Sequence, residues 1–503
     1  MPAKKSKVVS KPRSRKQPVK KKKLNKKKKL GFKKIALICF GAYIVCAIYG
    51  TMKPLPGGVS KWFDYSKTND AQVLLDNTYQ KGASMHYEHE IFTHQLQAIR
   101  DAEDFIILDM FLFNNTYDGE IKFPNLTEQL TNALITKKQE NPKIRIFMLT
   151  DPINSFYGSY TPDHYKKLRA NGIHLYETNL VAIRDSNPVY SGLWRPTMRW
   201  FGNNENGLIK NIFSENAPNV TVRGFGRLLN MKANHRKTLV TEKTAIVSSS
   251  NPHDPSGHHQ NVALKVSGQI QEDLINSEIH AMNMSGANLK VGDFKINHRA
   301  FNNTMNYTTT LVTEGKIKAA LIEQIGKMGD SDSIKMGMFY LSDRDIIQSL
   351  INASKRGVDV QLILDVNKEA FGKEKPGIPN KPVAHELIAR SDDNIKIKWA
   401  VSHGEQYHAK FTLLRDNDKN ESTLLLGSAN LTRRNVGDLN LETDVMISGK
   451  ADLPVFTKID KDFDAKWNNT YAHVTDYYDV KKDPSFWKTV LYRVQEFSGL
   501  SSF

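Results

Sequence analysis

The stretch His235-Arg-Lys-Thr-Leu-Val240 runs into a turn and then into Ala245-Ile-Val-Ser-Ser-Ser-Asn251. Further along, His408-Ala-Lys-Phe-Thr-Leu413 runs into a turn and then into Leu424-Leu-Leu-Gly-Ser-Ala-Asn430. Each copy reads as His-x-Lys opening an apolar strand, a reversal, a second apolar strand, and a closing Ser-x-Asn. His-x-Lys alone carries little, because a lysine-rich chain contains such triplets by chance. His164-Tyr-Lys166, in a helical stretch without the following hairpin, is one of these. Two copies in the same frame are a different observation.

Working outward, the flanking elements also recur in order. Asp104–Phe113 (DFIILDMFLF) matches Ser333–Leu341 (SIKMGMFYL), and Ile144–Asp151 matches Val360–Asp365, both apolar strands ending in Asp. Ile173–Tyr176 matches Ile395–Trp399, and the run ending at Gly268 matches the run ending at Gly449. Shared order predicts an internal duplication with halves near 80–270 and 311–470. Long apolar strands separated by helices predict an α/β fold of two duplicated lobes. Each lobe is expected to be a mostly parallel sheet flanked by helices, with the site at the lobe interface.

Alternation along a strand puts residues i and i+2 on one face. His235 and Lys237 therefore point together, as do His408 and Lys410. Ser249 and Asn251, and Ser428 and Asn430, return beside them on the second strand of each hairpin. Paired His, Lys and Asn suit transfer of a phosphodiester. One neutral imidazole attacks phosphorus and the other, protonated, supplies a proton to the leaving oxygen. Lysines and asparagines hold the non-bridging oxygens. No metal-ligand carboxylate set accompanies them, and no cofactor or metal is expected.

The doubled pattern His-x-Lys, hairpin, Gly-Ser-x-Asn resembles the phospholipase D superfamily, and its arrangement is similar to that of bacterial cardiolipin synthases over most of residues 80–470. The resemblance implies a metal-free phosphohistidine mechanism on a two-lobed α/β fold, with His235 as nucleophile and His408 as general acid. Glu442 stands where that family has an acidic residue in the next strand, placed to orient an imidazole, and its repeat counterpart is Asn261. The chain also departs from the pattern. The Asp five residues after Lys is Glu242 in the first half and Arg415 in the second, with Asp416 adjacent; the Gly before Ser is Ser248 in the first half and Gly427 in the second. Cardiolipin synthases of this kind carry two N-terminal spans, and this chain has one.

That span is the run Ile35–Met52, 18 residues without a charge, close to the ~20 needed to cross a bilayer. Residues 1–34 hold 17 of the chain's 71 Lys and Arg and no acid, which leaves 54 basic against 53 acidic residues beyond them. The formal charge of +18 is thus a property of the tail. It predicts a single-pass cell-membrane protein with its N-terminus cytoplasmic and its catalytic part outside the cytoplasm. The near-neutral remainder argues against a long nucleic-acid track. The only cysteines, Cys39 and Cys46, lie within the apolar run, so there is no disulfide framework.

The expected organisation is a basic disordered tail over 1–34, a span over 35–52, a linker over 53–80, lobes over 81–270 and 311–470 joined by 271–310, and a C-terminal amphipathic helix within 471–503. Asn187–Phe201 mixes aromatics with Arg195 and Arg199, a composition suited to a bilayer interface or to an insertion packed on its own lobe. His253, His258 and His259 read as a polar loop beside the phosphate pocket. The function expected is a membrane-anchored phosphodiester transferase acting on phospholipids, with an alcohol or water as acceptor. An anchored nuclease or phosphodiesterase, and a catalytically degenerate lipid-binding protein, are the alternatives. Oligomeric state is not legible.

Overall fold

The computed structural model describes residues 1–7, 31–118, 122–200, 207–297, 306–367, 369–370, 373–374 and 376–501. Two compact units are present, Met1–Ala42 and Tyr43–Phe503. A helix over Phe32–Met52 passes from one into the other and, among the described residues, is the one helix long and apolar enough to cross a membrane. Most of the basic tail, 8–30, and Phe201 lie outside the described residues.

The second unit holds two large sheets. Strands are β1 (Ser66–Thr68), β2 (Ala71–Asp76), β3 (Phe105–Met110), β4 (Arg145–Thr150), β5 (His174–Glu177), β6 (Lys237–Thr241), β7 (Ala245–Ser248) and β8 (Asn261–Val266), then β9 (Tyr307–Thr313), β10 (Ser333–Met338), β11 (Asp359–Leu364), β12 (Ile395–Ala400), β13 (Lys410–Asp416), β14 (Glu421–Gly427), β15 (Thr443–Lys450) and β16 (Thr475–Tyr477). One sheet has the order β2-β8-β7-β6-β3-β4-β5. The other has β1-β9-β15-β14-β13-β10-β11-β12-β16. Removing edge strands β1 and β16 leaves the same order in both, element for element.

The pairing sense also matches. β3-β4-β5 and β10-β11-β12 are parallel, and every other pairing in the two sheets is antiparallel. The expectation of mostly parallel sheets is corrected in this respect. The α/β class with helix-covered sheets holds, but only the strands joined through helices run parallel. The strands of each His-x-Lys hairpin turn back directly, which forces antiparallel pairing between them.

Local sequence accounts for the elements. β3 (FIILDM) is buried at every position, as a strand covered on both faces must be. The helix Arg344–Lys355 starts at Asp343, whose carboxylate accepts from the N–H groups of Asp345 and Ile346. It buries Ile346, Ile347, Leu350, Ile351 and Ser354 along one face. Gly357, at φ +95°, follows its end. One hydrophobic core joins both sheets through the helices Gln269–Met284 and Pro454–Trp467, with Leu264 and Val247 on one side and Phe411 and Leu424 on the other. The outer faces carry Glu90–Asp101, Leu126–Glu140 and Asp163–Ala170 in the first half, and Gly315–Lys327, Arg344–Lys355 and Asn380–Arg390 in the second. The stretch read as a linker thus supplies β1 and β2, and the stretch read as a connection supplies a core helix, because both carry alternating or helical apolar positions.

Candidate active site

The two motifs sit at matched ends of β6 and β13. In register, Lys237 lies opposite Met110 and Lys410 opposite Met338. The partner strands continue into Phe111 and Phe339, whose N–H groups donate to the carbonyls of Arg236 and Ala409, 3.1 Å in each case. Each phenyl ring backs the local pair. His235 and His408 lie 4.7 and 5.0 Å from the rings of Phe111 and Phe339, and the lysine Nζ atoms lie 4.9 and 5.4 Å from them. Each ammonium donates back to its own histidine's carbonyl, at 2.6 Å for Lys237 and 2.9 Å for Lys410. Lys237 and Lys410 are fully buried; His235 and His408 keep 8% and 6% of their surface exposed.

The imidazoles are held from across the molecule. His235 Nδ1 lies 2.9 Å from Glu442 Oε1. His408 Nδ1 lies 3.0 Å from Asn261 Oδ1. Glu442 opens into β15 of the second half and Asn261 begins β8 of the first, so each half orients the other's histidine. The serines of Ser-x-Asn hold those partners: Ser428 Oγ donates to Glu442 at 2.5 Å, and Ser249 Oγ donates to Asn261 Oδ1 at 3.1 Å. Asn435 also donates to Glu442. The Asn261 amide nitrogen donates to His259's carbonyl, which leaves its oxygen facing His408. With Nδ1 occupied as a donor in this way, Nε2 is the nitrogen free for chemistry.

Main chain stitches the halves together beside the motifs. His235 N–H donates to Leu441 O at 2.8 Å, and Gln260 N–H donates to Gln406 O at 3.0 Å. Asp151 and Asp365, the acids that close β4 and β11, accept from Asn234 N–H and Tyr407 N–H at 2.7 and 2.8 Å. They fix the backbone immediately before each histidine. Arg236 is buried with an ion pair to Glu314 at 2.7 Å, and Glu314 accepts in turn from Glu442 N–H.

Burial sets the electrostatics. It holds both imidazoles well below their ordinary range, and the neighbouring Lys237 and Lys410 push each further down. Lys237 is lowered to about 7 and Lys410 well below its ordinary value, again through burial first. Glu442 is raised to about 7 and Asp444 to about 8 by the same cause. Four basic groups crowded together and buried hold their protons weakly, and an anion brought among them would strengthen that hold.

The departures from the motif have physical explanations. Glu242 is not in this pocket. It lies at the far end of β6, where its carboxylate accepts from the N–H groups of Glu103, Asp104 and Phe105. Arg415 lies at the corresponding far end of β13, bonded to Ala451 O and Asp460. Five residues of strand, about 16 Å, separate either position from its lysine. Ser248 faces Ala263 across the sheet, whereas Gly427 faces Asp444. Asp444 Oδ1 accepts from Ala429 N–H; in the other half Ser248 Oγ accepts from the equivalent Ser250 N–H. The same backbone donor is satisfied from opposite strands.

Asn251 Oδ1 accepts from Leu112 N–H at 3.2 Å, and Asn430 lies at the equivalent place in the second half, buried. Among the three loop histidines, His259 approaches the site, its ring 5.9 Å from that of His408. His253 bonds Ser256, and His258 stacks on Tyr87. Among the described residues no three His, Cys, Asp or Glu side chains are grouped to hold a metal. His164 bonds Phe113 O from a helix, and Lys166 pairs with Asp163 at the surface. Sequence reasoning missed Asp151, Asp365, Phe111, Phe339 and Asn435, and it gave Asn261 no contact. The strand-closing Asp and the repeated Met-Phe were the available signals for the first four.

Comparison with known proteins adds family evidence. Residues 321–467 match the family model described as "Cardiolipin synthase, PLD-like domain", a stretch that contains His408, Lys410, Asn430 and Glu442. No curated protein matches the chain. Phosphatidylserine synthase from Haemophilus influenzae Rd KW20 is similar over 92% of this chain and 98% of its own, at 10% identity and a TM-score of 0.53, and shares the fold. Polyphosphate kinase from Porphyromonas gingivalis aligns over 86% of this chain and 53% of its own, at 13% identity and a TM-score of 0.43. A phospholipase D family member, Nuc from Salmonella typhimurium, aligns over 32% of this chain and 95% of its own, at 20% identity and a TM-score of 0.24.

Proposed function

We propose that this chain, which carries a phospholipase D-like domain in its second half, is a membrane-anchored phosphodiester transferase acting on phospholipids. The observation that carries the reading is the pairing of two buried His-Lys sets whose imidazoles are oriented from opposite halves. His235 Nε2 attacks the lipid phosphorus. The bond from phosphorus to the head-group oxygen breaks, its electron pair stays on that oxygen, and His408, as imidazolium, supplies the proton. The phosphatidyl group then rests on His235. In the second step His408 takes the proton of an alcohol or water, whose oxygen attacks phosphorus and expels His235. Lys237 and Lys410 stabilise the non-bridging oxygens throughout, aided by Asn251 and Asn430.

The unlike partners of the imidazoles support this division of roles. A carboxylate beside His235 stabilises the cationic phosphohistidine; a neutral amide beside His408 does so less, which makes the His408 imidazolium the better acid. The helix Phe32–Met52 supports anchoring, and the lysines before it support an N-terminus on the cytoplasmic side, with the catalytic unit outside the cytoplasm. The test is incubation of the purified chain in EDTA with phosphatidylglycerol or with single-stranded DNA, alongside His235→Ala and His408→Ala. Cardiolipin or phosphatidic acid formed in EDTA and lost in both variants is expected. DNA cleavage without lipid product points instead to a nuclease, and inertness toward both to a lipid-binding protein.

A further inference from the structure

A second basic cavity lies away from the paired histidines, in the first half. It measures about 240 Å³, and Arg195, Arg199, Arg227 and Lys232 contribute to its wall. None of the His, Lys or Asn side chains of the two motifs lines it. Asp185 answers two of the cations, with Arg195 at 2.6 Å and Lys232 at 2.8 Å. Among the described residues neither Arg199 nor Arg227 forms an ion pair. Lys53, beside them, is lowered to about 8 by burial and by the charges of Lys232, Arg195 and Arg199. The wall therefore carries positive charge beyond what its own carboxylates neutralise.

Position adds a second argument. The cavity adjoins the C-terminal end of the apolar helix: Tyr43 Oη donates to Val189 O, Asp185 N–H donates to Gly50 O, and the Arg195 guanidinium lies 5.4 Å from the Tyr49 ring. The same segment exposes Val181, Val189, Leu193 and Trp200. The C-terminal helix Phe486–Ser498 turns Trp487, Val494 and Phe497 outward, and Gly499 at its end abuts Ser186. Cationic groups beside exposed apolar and aromatic side chains, at the C-terminal end of a membrane-length helix, suit a lipid surface, where anionic head groups lie next to acyl chains.

We propose that this cavity binds the phosphate of an anionic phospholipid head group, at a site separate from the paired His-Lys pocket. The inference rests on reading the helix as a membrane anchor and the protein as acting at a lipid surface. Arg199 and Arg227 supply the forked donors that a phosphate accepts. The cavity is joined to the catalytic strand through Thr178, whose hydroxyl accepts from the amide of Asn234, the residue before His235. A lipid held here would fix the enzyme's stance on the bilayer.

The test uses the full-length His235→Ala chain in detergent, titrated calorimetrically with short-chain phosphatidylglycerol, short-chain phosphatidylcholine and glycerol 1-phosphate. Adding Arg199→Gln and Arg227→Gln is expected to remove one phosphatidylglycerol site per chain, or weaken it at least about tenfold, at unchanged thermal stability. Phosphatidylcholine is expected to bind that site at least about tenfold more weakly. An unchanged stoichiometry and affinity in the double variant overturns the proposal. Glycerol 1-phosphate binding as tightly as phosphatidylglycerol keeps the anion site and overturns its lipid source. Failure of the catalytic reading alone lowers the starting number of sites but leaves the effect of the double variant intact, so the two failures are distinguishable.

Discussion

His235 Nδ1 stands 2.9 Å from Glu442 Oε1, a carboxylate contributed by the opposite half of the chain. The matched position opposite His408 is Asn261, at 3.0 Å. Two nearly equivalent imidazoles thus differ in the charge of the group that holds them. On the proposed reading, this difference separates a nucleophile from a proton donor.

Exchanging the charge of these partners is expected to move opposite limbs of the pH–rate profile. On the proposed mechanism the reaction needs His235 neutral and His408 protonated, and the carboxylate beside His235 makes its cation the more stable of the two, so the alkaline limb reports His235 and the acid limb His408. Glu442→Gln withdraws support from the His235 cation, shifts the alkaline limb to lower pH, and lowers kcat about 100-fold. Asn261→Asp favours the His408 imidazolium and shifts the acid limb to higher pH. Limbs that move together, or the reverse assignment, contradict the division of roles.

Lys237 and Lys410 donate to carbonyls of their own motifs and face the same pocket. Lys237→Met or Lys410→Met is expected to cost about 10²–10³ in kcat, because a buried cation acts on transition-state charge rather than on ground-state binding. Steady-state kinetics in mixed micelles checks this. A rise in KM at constant kcat would assign the lysines to binding alone.

Gly427 leaves no space for a Cβ, which would fall 2.3 Å from Thr443 O and 2.4 Å from Asp444 Oδ1. Gly427→Ser is therefore expected to destabilise by about 1–3 kcal/mol, and Asp444→Ala in the same chain to recover part of that. Ser248→Gly costs a similar amount by another route, since Ser250 N–H loses its buried acceptor. Chemical denaturation of the three variants tests the exchange of roles between the halves.

Asp76 is raised to about 8 by burial, although its carboxylate accepts from Ile91 N–H. The folded chain keeps a proton there that the unfolded chain releases above pH ~4. Its contribution to stability is complete below that pH and is lost as pH rises through about 8, at up to about 1.4 kcal/mol per pH unit. Asp76→Asn titrates in neither state. The melting temperature of the variant relative to the parent should rise steadily from pH 5 to pH 8; a constant difference would place the Asp76 proton elsewhere.

Much of this was legible in the primary structure because it was written twice. Strand order, hairpin and motif side chains recur in the same order in both halves, and alternation alone puts His beside Lys. What could not be read was which half serves which histidine. Asn261 and Glu442 lie 147 and 207 residues from the imidazoles they touch, and no local periodicity encodes a contact between lobes. Pairing sense is not legible from alternation of strands and helices, because helices join only some of the strands that pair. Glu242, five residues along the strand from Lys237, lies outside the pocket, and its backbone partners, distant in sequence, carry no local signal.

The proposed mechanism turns on a phosphatidyl group carried on His235. A phosphatidyl ester with a good leaving group, such as p-nitrophenol, removes the need for an acid in the first step. With His408→Ala, the account predicts a burst of one equivalent of nitrophenolate per chain and, by peptide mass spectrometry in EDTA, a phosphatidyl adduct on His235. No burst is expected from His235→Ala. An adduct on another residue, or steady release with no adduct, would contradict the mechanism.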